Sequence, residues 1–270
     1  METVEINACA VAAWREPRAS REGRSVEQRS EVNIGAVALI DALGFRGIWG
    51  RHPPDEVLSE LKTMKDWMEA RVTAQFSSQP WMQCQVAFLS DTIAVSMALE
   101  QSTENRDAMS VVYLSDVISW VLDRMLRSHV PLAYRGAIAV GRYEVSPHFL
   151  LGPAIDEAAA AHEMAQGPLI WLTPHARDEV ARWLKHQPHN THLVKFDVPL
   201  KSGDSFNTYT VSPLEQAGGE DDAKMLVRTL LGTFSGSNLD VAVKLQNTVR
   251  HLRACYAWRK FALPEELSTL

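Results

Sequence analysis

The sequence predicts an α+β fold: a ferredoxin-like split β-α-β-β-α-β unit, further α/β elements and a helical C-terminal extension. Three observations carry this. A short apolar run at residues 35–41 ends in glycine-bearing turns. Two further apolar runs, 85–89 and 92–97, meet at Ser90-Asp91 as a hairpin, and residues 55–75 and 105–129 repeat apolar side chains at helical spacing.

Along the chain, residues 1–32 end in a mixed-charge run without apolar periodicity and read as an arm. The run at 35–41 is the first strand, with Gly44, Gly47, Gly50 and Pro53-Pro54 as its stop. Asp55 is placed to cap the following helix, whose Val57, Leu58, Leu61, Met64, Trp67 and Met68 share a face. After the hairpin, the helix of 105–129 leads to a strand at 132–140 closed by Gly141. Pro153 suits the first turn of an alanine-rich helix running through Met164, and the alanines suggest close approach of another element or a second subunit. A strand at 169–172, a helix at 174–184 and strands at 192–199 and 205–211 follow, the last two joined by 201–204. From Pro213 the pattern is helical, interrupted at 232–237. The expected organisation is an arm (1–32), a catalytic core (33–211) and a helical extension (212–270).

Composition narrows the function. With 27 Lys+Arg against 33 Asp+Glu, a net charge of −6, the chain lacks the basic face that generic nucleic-acid binding needs. Cys9, Cys84 and Cys255 are odd in number and widely spaced, which argues against a disulfide scaffold or a zinc site. No run approaches the roughly 18 apolar residues of a membrane helix, and the acidic start does not read as a signal peptide. A cytoplasmic protein without a membrane or nucleic-acid partner is expected.

Two acids stand out. Asp41 ends the first buried run and Asp91 sits in the hairpin; a carboxylate at the edge of a buried strand is costly unless paired or bound to a metal. If their strands lie side by side, the two share a point suited to Mg²⁺ or Mn²⁺ held partly by substrate phosphates. Each taken alone reads equally as a turn residue. His162 and Glu163 are adjacent on the alanine-rich helix, about 100° apart, and read as surface or packing residues rather than a metal pair.

Taken together, GAVALIDALGFR (35–46), VAFLSDTIAV (86–95), YRGAIAVG (134–141) and GPAIDEAAAAHE (152–163) resemble the metal-binding core of the class III nucleotide cyclases. The resemblance implies two divalent ions held by Asp41, the carbonyl of Ala42 and Asp91. It implies phosphate binding by Arg135, 44 residues beyond Asp91, and by Lys201, eight before Tyr209. Backbone N–H groups of Leu43, Gly44, Phe45 and Arg46 would cradle phosphate oxygens. Such a site performs phosphoryl transfer: a ribose 3′-hydroxyl attacks the α-phosphorus and pyrophosphate leaves.

The departures from that family are specific. Asp156 stands where the family has a ribose-binding Asn, and Ala160 where it has a transition-state Arg; Arg46 and Arg142 are candidate substitutes. Ala87 and Phe149 replace the polar groups that select adenine, and Phe149 with Phe88, and Trp49 or Trp81, would narrow the pocket towards a smaller base. In this the chain is similar to the Pycsar pyrimidine cyclases of bacterial anti-phage defence. The implied product is cyclic UMP, ahead of cyclic CMP, and the implied partner a downstream effector that binds it. The resemblance also implies a head-to-tail homodimer with composite sites, Asp41, Asp91 and Arg135 coming from one copy and Asp156 and Lys201 from its mate. A purine cyclase and a catalytically dead nucleotide sensor are the other readings.

Overall fold

The computed structural model describes residues 32–45, 47–100, 105–146, 149–187, 192–234 and 238–268; the expected arm and Arg46 lie outside these. Its centre is β1 (Asn33–Leu43), apolar on both faces because it is covered on both. Ala36, Ala38, Ile40 and Ala42 face one layer, and Val37 and Leu39 the other, so the period of two carries Asp41 to the second face. The sheet order is β2-β3-β1-β4-β6-β8-β7, with β5 paired to β4. The strands are β2 (Met82–Leu89), β3 (Thr92–Leu99), β4 (Ala133–Ser146), β5 (Phe149–Leu151), β6 (Ile170–Leu172), β7 (Leu193–Pro199) and β8 (Ser205–Val211). All pairings are antiparallel except β4 with β6. This is the mixed α+β architecture predicted from sequence.

Helices α1 (Pro54–Phe76), α2 (Arg106–Leu126) and α4 (Pro174–Leu184) bury one stripe each against the first face. In α1 that stripe is Val57, Met64, Met68 and Val72. Helix α3 (Pro153–Ala161) covers the second face, seating Ala154, Ile155 and Ala158 on β1 and β4. Its small side chains bring the helix close: a Cβ on Gly141 would lie 3.7 Å from that of Ala154. Beyond residue 212, α5 (Glu220–Gly232), α6 (Leu239–Arg259) and α7 (Glu265–Ser268) join the core through Leu226, Val227, Leu252 and Tyr256, which cluster with Leu126, Ala133 and Val194. One compact unit therefore spans Val32–Leu270.

Several boundaries differ from the sequence reading. Pro53 occupies the N-cap position of α1 and Asp55 lies in its first turn. The alanine-rich helix stops at Ala161, three residues short of Met164. Strand β4 continues through Gly141 to Ser146 because glycine accepts the φ of 145° there, and the extra length pairs with β5. β1 lies between β3 and β4, not beside β2, which is an edge strand. No helix among the described residues is long and apolar enough to cross a membrane.

Candidate active site

The register places the acids. Asp41 lies opposite Thr92 on β3 and Arg135 on β4, so the first residue of β3 brings the preceding turn, with Asp91, to the end of β1. A hydrogen bond from the Ala42 amide to the Asp91 carbonyl, 3.2 Å, pins that turn. Its tightness depends on Ser90 at φ 64°. Arg135 Nη2 donates to Asp41 Oδ2 at 3.3 Å, and both side chains are mostly buried, 12% and 15% exposed. Burial, then the nearby Asp91 carboxylate, hold the Asp41 carboxyl above its usual value, against the opposing pull of Arg135 and His162. The arginine thus leaves the pair of acids short of positive charge.

Arg135 is shared. Its Nη2 also meets Glu163 Oε1 at 3.2 Å, and Glu163 Oε2 lies 3.9 Å from Lys201 Nζ. Arg135 Nε is buried without a hydrogen-bond partner among the described residues. The approach of Glu163 and Lys201 is set by backbone. The Lys201 amide bonds the Met164 carbonyl at 2.9 Å, Ala165 bridges Leu200, and the Gln166 amide bonds the Pro199 carbonyl at 2.8 Å. An open cleft of about 280 Å³ beside them is lined by Glu163, Met164, Leu200, Lys201 and Ser202. Asp41, Asp91, Arg135 and Lys201 therefore share one end of the sheet in one chain. Lys201, expected to serve the partner's site, stands in its own chain's cluster.

The remaining residues divide. Ala42 is in place, its carbonyl at the strand end. Leu43, expected in the turn, is still in β1, paired with Ala133; the turn begins at Gly44 (φ 73°), whose carbonyl accepts from Arg51 Nη2 at 2.7 Å. Phe45 is half-buried against the core on the far side of the sheet. Ala87 shares the face of Asp41, but Phe88 turns to the opposite face and packs with the helices, so it cannot narrow the pocket. Trp81 packs edge-on against Tyr113 at 6.4 Å and is likewise core. Phe149 is 66% exposed and pairs with Ser146. That is eleven residues along β4 from Arg135, about 36 Å of strand. Asp156 is exposed in the first turn of α3, about 10 Å of helix from Glu163. Arg142 is exposed, seven residues along β4 from Arg135.

Sequence reasoning missed Glu163 and His162. Both follow the end of α3, which runs antiparallel to β4 and so delivers its C-terminus to the Arg135 end; that direction, readable from the short β4–α3 connection, was the available signal. The His162 ring lies within 2.6 Å of the Ala159 carbonyl through Nδ1 and 3.9 Å from Glu163 through Nε2. No group of three His, Cys, Asp or Glu side chains among the described residues is placed to hold a metal. The donors at hand are two carboxylates and one carbonyl, a hard-oxygen set that fits Mg²⁺ or Mn²⁺ completed by substrate and water.

No protein-family model matches the chain, and no curated protein does. Solved structures similar to it include guanylyl and adenylyl cyclase domains. The catalytic core of a rhodopsin-guanylyl cyclase with converted specificity, in complex with ATPalphaS, shares 14% identity over 67% of this chain and 97% of its own, TM-score 0.45. The guanylate cyclase domain of RhGC from Catenaria anguillulae, in complex with GTP, shares 14% over 66% and 94%, TM-score 0.43. The adenylyl cyclase CyaB from P. aeruginosa shares 14% over 66% and 92%, TM-score 0.41.

Proposed function

We propose that the protein is a nucleotidyl cyclase, converting a pyrimidine nucleoside triphosphate, UTP before CTP, to its 3′,5′-cyclic monophosphate and pyrophosphate. The observation that carries this is the convergence of Asp41 and Asp91 at one strand end beside the buried Arg135. Two divalent ions held by Asp41, Asp91 and the Ala42 carbonyl would acidify the ribose hydroxyl and neutralise phosphate charge. Arg135 offers its guanidinium to the triphosphate, and Lys201 adds a point charge at the cleft. Together they orient the phosphate chain for in-line attack and hold the leaving pyrophosphate.

The base preference rests on what is missing. Ala87, on the face of Asp41, has no polar group to read a purine edge. Phe149 and Asp156 lie too far along their elements to reach the acids of their own chain, and both are exposed. In a head-to-tail homodimer they would approach the partner's acids, Phe149 against the base and Asp156 accepting from a ribose hydroxyl. The cyclic product would act as a second messenger for a separate effector in bacterial defence against phage.

A second reading, nucleotide binding without turnover, is favoured by Ala160, which is exposed on α3 and supplies no cation to a pentavalent phosphorus. One experiment separates the readings. The full chain is incubated with each of the four ribonucleoside triphosphates and Mn²⁺, and products are identified by mass spectrometry. Cyclic UMP, lost in Asp91→Ala, is expected. Product from ATP or GTP above UTP and CTP overturns the base assignment, and binding with no product from any substrate establishes the sensor.

A further inference from the structure

Glu163 stands where a phosphate would. Its two oxygens face the cations assigned above to the triphosphate, 3.2 Å from Arg135 Nη2 and 3.9 Å from Lys201 Nζ. The carboxylate is 57% exposed, at the rim of the open cleft, and the backbone bonds between 164–166 and 199–201 hold both residues in place independently of their charges. A phosphate chain on Arg135 and Lys201 would bring a second anion into the same positions, and like charges at that separation repel.

We propose that Glu163 is an internal stand-in for phosphate, neutralising Arg135 and Lys201 in the nucleotide-free protein, and that a phosphate chain binds by displacing it. The inference rests on the phosphoryl-transfer reading and adds to it a residue that sets affinity. Glu163 is itself 57% exposed, so water screens its half of each pair and the side chain is readily displaced on its flexible stem. A competitor that must leave before any ligand binds reduces the affinity of every ligand by the same factor, the open fraction of the site. On this view the return of Glu163 to the two cations accompanies departure of pyrophosphate.

The test is isothermal titration of the full chain with inorganic pyrophosphate and with inorganic tripolyphosphate, with Mg²⁺ in excess. Wild type is compared with Glu163→Gln, Arg135→Ala and Glu157→Gln, a control on the preceding helix α3, each checked for a native circular dichroism spectrum. Glu163→Gln is expected to bind both probes more tightly by a common factor of about ten, equivalent to about 1.4 kcal/mol. Glu157→Gln should match wild type, and Arg135→Ala should bind at least about tenfold more weakly. If Arg135→Ala loses affinity while Glu163→Gln gains none, or gains no more than Glu157→Gln, the stand-in role is overturned and the phosphate site survives. If no form binds either probe, or Arg135→Ala binds as wild type does, the phosphate site itself falls.

Discussion

At Asp41 the demands of folding and of function part company. Burial and Asp91 raise its carboxyl pKa, so the native state holds the proton more tightly than the unfolded chain. Between the ordinary and the raised value the folded form carries more protons, and stability falls as pH rises through that window. At neutral pH the ionised carboxylate is then a burden on the metal-free protein that a divalent cation would relieve. Asp41→Asn is expected to unfold at the same or a higher temperature than wild type without metal, to gain nothing from Mn²⁺, and to lose turnover by about a hundredfold or more. Calorimetry and product formation check this; a lower metal-free midpoint would mean that the Arg135 pairing outweighs the burial. Asp41 and Asp91 stand out in the sequence because each marks a strand end or a turn, whereas Arg135 stands out only through the resemblance to the class III cyclases. Glu163 does not, since a polar residue just past a helix C-terminus looks like any surface group until the helix direction is known.

Among the elements, the β1–β4 ladder fixes the site most directly, and Gly136 permits it. A Cβ there would meet the Leu39 carbonyl oxygen at 2.3 Å and the Ile40 Cα at 2.9 Å, backbone atoms of the strand that carries Asp41. Gly136→Ala is expected to force β1 and β4 apart beside Arg135, costing about 1–3 kcal/mol or more. Scanning calorimetry would read this as a fall of about 2–4 °C per kcal/mol, with activity lost below the midpoint as well. Further along the sheet, α6 is fastened by a buried histidine. One ring nitrogen of His251, Nε2, lies 2.8 Å from Thr210 Oγ1 and 3.6 Å from Cys255 Sγ, and burial lowers its pKa to about 4. The unfolded chain binds the proton first, so this group's contribution is intact above the ordinary histidine value and lost as pH falls from there towards about 4. Asp116 works in the opposite sense: burial raises its pKa to about 6, so acidification favours its folded form. The difference between wild type and His251→Gln isolates the histidine. Their stability gap in urea should shrink between about pH 7 and pH 5, by at most about 1.4 kcal/mol per unit, and a constant gap would mean that the ring titrates in the fold as it does in the unfolded chain. Helix periodicity made the elements legible, while Gly141 misled: a glycine inside a strand reads as a stop when only the chain is in view.

For the whole molecule the question is how many chains complete a site. The succession of strands and helices along the chain followed from the spacing of turns and apolar repeats, but the location of Lys201 did not, because it depends on backbone bonds between segments 35 residues apart. Those bonds give one chain Asp41, Asp91, Arg135 and Lys201, and leave Asp156, on the helix covering the face of Asp41, and Phe149, beyond the far end of β4, distant from them. A closed two-fold pairing across that face would exchange the distant residues between copies and make two equivalent sites. Asp91→Ala and Asp156→Ala, each impaired alone, are then expected to complement when unfolded together and refolded, or co-expressed. Random mixing makes half the dimers mixed, and each mixed dimer has one site with neither lesion, so cyclic nucleotide formation should recover to about a quarter of the wild-type rate. Sedimentation velocity should show the dimer in the same samples. Recovery no greater than the sum of the two variants would place Asp156 outside the partner's site and leave each chain to work with its own four charged residues.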